Sequence, residues 1–207
     1  GAFRTVAQLV SYEVPLVLVL LVPVILAHDM GLNAIATSQE VWFVLFAPLA
    51  ALIFFISSVA EVGRTPFDLL EAESEIVAGF HIEYSGMKFG LFLAAELIHA
   101  FFISALTATI FFGGWRGPGV ETYPILGIIY FLIKTSLIYF VVMWIRGTLP
   151  RVRIDPMFAF NWKLLTPRAL VLLVVTAIVE NRVAALELWV RVGSHRVVKR
   201  LLLGVPI

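Results

Sequence analysis

Acids set beside and inside strongly apolar segments are the residues here that could do chemistry. The stretch 61–86, EVGRTPFDLLEAESEIVAGFHIEYSG, holds six of the chain's fourteen Asp and Glu residues: Glu61, Asp68, Glu71, Glu73, Glu75 and Glu83. Proline is favoured at first helical positions, so Pro66 can open a short helix. On it Asp68, Glu71 and Glu75 share a face at i, i+3 and i+7, while Glu73 points elsewhere. Carboxylates so close titrate as a coupled set, which suits them to passing protons or binding cations. A solvated loop is the plain reading of such a run, but it would intersperse lysines to relieve the repulsion. Arg64 is the only Lys or Arg in the stretch before Lys88.

Further ionisable groups lie within the apolar segments themselves. Glu96 falls some eight residues into one of them, ~12 Å along a helix rising 1.5 Å per residue. His99 follows one turn later on the same face, Lys134 sits near the middle of the next segment, and Glu13 stands beside Tyr12 in the first. At such depth a charge costs roughly 2.5–3.5 kcal/mol on insertion scales, and it faces a cavity, pairs, or relays protons. Taken singly, His99 reads as a packing histidine, and Glu13 or Lys134 as a snorkelling or paired side chain. Together, Glu13, Glu61 and Glu96 lie at or below the same ends of three segments, next to the acidic stretch. That pattern suggests a polar path running from one face into a membrane.

Five stretches must position these groups: about 9–28, 41–60, 88–112, 123–145 and 167–187, each near the roughly 20 residues a spanning helix needs. The chain of 207 residues is 61% hydrophobic and 14% charged, with a mean hydropathy of +1.00; soluble domains carry about 25% charged residues. The reading is an all-α, polytopic transmembrane helical protein with about five spans. It forms a single domain, 1–207, with an acidic loop at 61–87 and a basic loop at 146–166. Arg4, Arg64, Lys88, Arg146, Arg151, Arg153, Lys163 and Arg168 gather on the side of those loops, against Arg116 alone in the opposite ones. Positive charge marks the cytoplasmic side. The tail, with Arg182, Arg191, Arg196, Lys199 and Arg200, falls by parity on the other side and reads as an interfacial helix. The chain begins at Gly1 already entering a span, as a truncated or processed chain would.

Several classes are excluded. A net charge of +1 without a basic groove argues against nucleic acid. The absence of cysteine rules out disulfides, thiolate metal sites and iron–sulfur ligation by this chain. There is no glycine-rich phosphate loop, HExxH or GxSxG, and His28-Asp29 and His81-Ile82-Glu83 read as turn residues rather than metal ligands. Trp42, Trp115, Trp144 and Trp162 fall near span ends, where an interfacial belt accounts for them.

Beyond composition, the stretch EVGRTPFDLLEAESEIVAGFHIEYSGMKFGLFLAAEL closely resembles the signature of the H-subunit family of NADH:quinone oxidoreductase, respiratory complex I. Its mitochondrial counterpart is the first membrane subunit of NADH dehydrogenase. The blocks RTVAQLVSYEVPL, GGWRGPG and IRGTLPRVRIDPMFAFNWKLLTP agree with it, so the resemblance covers nearly the whole chain and weakens in the tail. The family has eight spans, and the chain resembles its last five. Leu70 stands where the family has proline. Pro156 stands where it has glutamine, so the backbone after Asp155 is expected to differ.

The resemblance implies a membrane-arm subunit at the junction with the redox arm. There it contributes to the quinone cavity and couples quinone reduction to proton translocation through buried acids. The implied coupling path is Tyr12, Glu13, Glu61, Asp68, Glu71, Glu73, Glu75, Glu83 and Glu96. The implied quinone-cavity residues are Arg64, Phe92 and Arg153, with Arg151 and Lys163 fitting the same basic loop. His99 and Lys134 remain as further intramembrane polar groups. The family carries no redox centre: quinone, ubiquinone or menaquinone, is the substrate, and iron–sulfur clusters and flavin belong to partner subunits. Implied partners are the soluble subunits of the quinone site, small and antiporter-like membrane subunits, and the lipid of a bacterial cytoplasmic membrane. The chain is expected to be inactive alone. The homologous membrane subunit of an energy-converting hydrogenase shares the PFD…EAE segment, and a stand-alone ion transporter would also use intramembrane Glu and Lys. The longer match through EYSGMKFGLF favours the quinone enzyme.

Overall fold

The computed structural model describes residues 2–39, 41–63, 66–67, 84–120, 123–150, 152 and 154–183. Among these there is no strand, as expected of an all-α membrane protein. The first helix, α1 (Ala2–Ala27), runs unbroken through Pro15 and Pro23. Membrane helices tolerate proline where a neighbour satisfies the carbonyl it frees. A short α2 (Leu32–Ser38) follows in the connection.

The expected span at 41–60 is divided. A single turn, α3 (Phe43–Phe46), stops at Ala47 with φ −131° and ψ 63°, and α4 (Pro48–Glu61) restarts the helix. Pro48 is the cause: it has no N–H to donate, and its ring drives the preceding residue out of the α region. With 14 residues, α4 is shorter than a full span requires. By contrast α5 (Met87–Phe111) and α6 (Ile125–Thr148) match the expected third and fourth spans closely.

The last helical run starts well before residue 167. It comprises α7 (Ile154–Phe160), a π-helical turn at Asn161–Leu165, and α8 at 166–183. Pro156 lies in the first turn of α7, where a backbone N–H has no intrahelical acceptor to lose. The proline therefore begins a helix rather than distorting a loop. Among the described residues four runs are long and apolar enough to cross a membrane: Val6–Ala27, Met87–Phe111, Ile125–Thr148 and Pro156–Val183.

The helices pack mainly as two pairs, α1 with α4 and α5 with α6, joined where α4 meets α5. In lipid, helix association rests on close packing, so small residues collect at contacts. Accordingly α5 buries Ala100, Ser104 and Ala108 at i, i+4 and i+8, and α4 buries Ala50, Ala51, Ser57, Ser58 and Ala60. Rings fill the remaining gaps, as where Phe54 meets Phe111 at 5.4 Å between centroids. On α6 only Gly127, Thr135 and Val142 are buried, and Ile128, Leu132, Phe140 and Trp144 face outward.

The end away from the acidic stretch is closed by side chains that seek backbone carbonyls. Gln39 Nε2 donates to the Ile110 carbonyl at 2.7 Å, and Arg116 Nη1 to that of Thr37 at 2.6 Å. Lys134 Nζ donates to the carbonyls of Phe112, Gly114 and Arg116 at 2.8, 3.1 and 2.8 Å, and lies 5.6 Å from the Trp42 ring centroid. Gly113 and Gly114, at φ 71° and 50°, supply the left-handed turn that brings these oxygens round to one ammonium. Lys134 thus caps the end of α5.

Candidate functional site

At the other end, the start of α1, the end of α4 and the start of the last helical run converge. Gln8 Nε2 donates to the carbonyls of Ala60 and Phe67, both at 2.9 Å, and the Val152 N–H donates to the Pro66 carbonyl at 2.9 Å. Pro15 deprives the Ser11 carbonyl of its helical donor. Asn161 Nδ2, from the π-helical turn, donates to that oxygen instead. Beside it, Trp162 Nε1 donates to Ser11 Oγ at 3.3 Å. A proline in one helix therefore creates the docking point for another.

Tyr12 lies beneath this junction, 1% exposed, its ring centroid 5.3 Å from that of Phe67. Its hydroxyl, Gln8 Oε1, Asn161 Oδ1 and Ser57 Oγ are buried and have no hydrogen-bond partner among the described residues. Polar capacity is concentrated here, close to the expected acidic path.

The acids sit along the seam that follows. Glu61 closes α4 and lies within electrostatic range of Glu13 on α1 and of His99 on α5. Glu13 repels its charge, and a protonated His99 attracts it. Glu96 is half-buried on α5, one turn before His99. Glu13, Glu61 and His99 are exposed on the outside of the helical set. The arrangement is an open polar seam built from three helices. Two carboxylates and an imidazole from three helices thus share one electrostatic neighbourhood.

Phe92 lies nearer the start of α5, its ring 4.9 Å from that of Tyr84. Both line an open groove of about 430 Å³ with Lys88, Leu91 and Ala95, within the volume range of small-molecule sites. Lys163 is exposed in the π-helical turn. Arg64, Asp68, Glu71, Glu73, Glu75, Glu83, Arg151 and Arg153 lie outside the described residues.

Comparison with known proteins places this chain in a family. The model of the family described as NADH dehydrogenase matches residues 1–177. The NADH-quinone oxidoreductase H subunit of Dehalococcoides mccartyi is 50% identical over 177 residues, which is 86% of this chain and 49% of that protein. The H subunit of Anoxybacillus flavithermus is 46% identical over 183 residues, 87% of this chain and 54% of the relative. An H subunit of Geobacter metallireducens is 47% identical over 177 residues, 85% of this chain and 52% of the relative. The chain belongs to the H-subunit family of NADH-quinone oxidoreductase. It spans about half the length of the curated relatives it matches.

Sequence reasoning singled out Tyr12, Glu13, Glu61 and His99, which the structure brings to this end of the helices. It missed Gln8, Ser11 and Asn161, which fix the end of the seam, and read Trp162 only as part of an interfacial belt. One signal was available: Pro15 stands four residues after Ser11 and frees its carbonyl. Which side chain would answer it was not readable locally, because Asn161 lies 150 residues away.

Proposed function

We propose that the chain serves as a membrane-arm subunit of a proton-pumping NADH:quinone oxidoreductase, at the junction with the redox arm. In this reading the groove beside Phe92, together with Arg64 and Arg153, contributes to the quinone cavity. Glu13, Glu61 and Glu96, with Tyr12 and the acids Asp68, Glu71, Glu73, Glu75 and Glu83, couple quinone reduction to proton translocation. Quinone reduction draws protons or shifts charge beside the acidic stretch and changes its coupled protonation. That change passes through Glu61 toward antiporter-like partner subunits by electrostatics and water rearrangement. Flavin and iron–sulfur clusters reside in partners, the chain itself is not a redox carrier, and alone it is inactive. It sits in a bacterial cytoplasmic membrane with the 61–87 and 146–166 segments on the cytoplasmic side.

One observation carries the reading: Glu13, Glu61 and His99, from three separate helices, come into electrostatic range where α4 ends and the acidic stretch begins. The family supports the enzyme class. Glu61→Gln keeps the size of the side chain and removes its charge. In the assembled complex we expect this variant to lose quinone reduction, proton pumping, or both, by tenfold or more. Wild-type rates of both in a fully assembled variant would remove Glu61 from the path.

A further inference from the structure

An open pocket of about 670 Å³ lies at the end that Lys134 closes, lined by Thr37 of α2 and by the run 115–120 between α5 and α6. It exposes polar as well as apolar surface. The 112–124 connection joins two spans, so the pocket sits at a membrane boundary. Trp115, 39% exposed, stands there as interfacial tryptophans do. The wall is pinned to α6. Gly117 lies so close to the Tyr130 ring that a Cβ would fall 2.6 Å from it, and the Tyr130 hydroxyl donates to the Pro118 carbonyl at 3.1 Å.

Arg116 is the charged side chain among the described residues of that lining. Its Nη1 donates to the Thr37 carbonyl at 2.6 Å, which ties a half-buried side chain to the α2 wall. That bond engages one of five guanidinium N–H groups, and among the described residues Arg116 makes no ion pair. Lys134 differs, since carbonyls take all three of its donors. A guanidinium held by one bond keeps a planar fork of donors that matches phosphate oxygens. Next to this polar socket, Leu126 of α6 approaches Gly119 of the lining. From Leu126 the outward-facing Ile129, Ile133 and Leu137 follow at i+3, i+7 and i+11, an apolar stripe running into the membrane.

A fixed cation at the boundary with an apolar stripe beyond it is complementary to an amphiphile. We propose that the pocket binds an anionic phospholipid, with its phosphodiester on Arg116 and an acyl chain along Ile129, Ile133 and Leu137. Inorganic phosphate would use the guanidinium and leave the stripe idle. A zwitterionic lipid would bring an ammonium, and among the described residues no carboxylate lines the pocket to receive it. The inference needs the chain to lie in a membrane, and it does not depend on the coupling role proposed above.

The test places the assembled complex in phosphatidylcholine nanodiscs doped with phosphatidylglycerol that carries a photoactivatable group on an acyl chain. Labelled peptides are then mapped by mass spectrometry. We expect labelling within 115–137, displaced by unlabelled phosphatidylglycerol and not by inorganic phosphate. Arg116→Gln should lower it about fivefold, the scale of one basic side chain at an anionic membrane surface. A phosphatidylcholine probe with the same chain should label the segment less than the phosphatidylglycerol probe does. Equal labelling by the two probes would mean ordinary surrounding lipid and would overturn the proposal. Unchanged labelling in Arg116→Gln would overturn it too, and displacement by inorganic phosphate would make this a free-anion site instead. If Arg116→Gln fails to assemble, the two probes and the competition on wild type decide.

Discussion

Ser11 carries a carbonyl that its own helix cannot satisfy, because Pro15 stands where the donor should be. Asn161 supplies the missing donor from the far end of the sequence. This gives a prediction with an internal control. Asn161→Ala leaves the Ser11 oxygen buried and unpaired, at a cost of about 1–2 kcal/mol for a hydrogen bond between membrane helices. Pro15→Ala restores the backbone donor, so the same Asn161→Ala change should cost less in that background. Unfolding of the four variants in bicelles would read out the coupling, expected at about 0.5–1.5 kcal/mol. Strictly additive losses would show that Asn161 does not answer to Pro15. At this scale sequence reasoning found the ionisable groups, because carboxylates in an apolar chain stand out by type. Gln8 and Asn161 escaped it, since a polar amide is informative only once its backbone acceptor is known. Those acceptors are carbonyls, which every residue has.

Among the elements, hydropathy located the spans well because α5 and α6 are uninterrupted apolar runs of 25 and 24 residues. It failed where backbone chemistry acts within an apolar run. The window at 41–60 is greasy throughout, yet Pro48 divides it into α3 and α4. The run after residue 153 is polar enough to read as a loop, yet Pro156 starts a helix there. Lys134 shows how far a residue's role depends on the element it meets. Read alone, it is a charge at membrane depth; in place, it holds three carbonyls where α5 ends. Lys134→Met should therefore loosen the 113–120 connection. The expected loss is about 2 kcal/mol, less than three full charge-assisted bonds because the ammonium is only half-buried. Faster proteolysis within 113–120 and a lower unfolding temperature would report it. The ratio of protons pumped to electrons transferred should stay at the wild-type value in enzyme that remains assembled. A changed ratio would bring Lys134 into the coupling machinery.

Across the whole molecule, the two ends are built on different plans. One end is closed by Lys134, Gln39 and Arg116, each spanning separate elements to reach carbonyls. The other leaves Tyr12, Gln8 and Asn161 with buried polar atoms unpaired among the described residues, and exposes Glu13, Glu61 and His99 on its outer face. Ionisable groups near membrane depth are costly against lipid and are ordinarily covered by protein or by a water-filled cavity. Here Glu13, Glu61 and His99 lie along an outward seam of the described helices. The seam is therefore expected to be completed by other protein, and the chain by itself should not conduct. Purified alone into proteoliposomes under an imposed pH gradient, it should give proton flux no higher than protein-free vesicles. The assembled complex in the same vesicles should pump on addition of NADH and quinone, and Glu61→Gln should diminish that pumping. Sustained flux through the chain alone, abolished by Glu61→Gln, would instead mean that its own helices form a complete pathway. The reading as one subunit of a larger enzyme would then have to give way to an autonomous transporter.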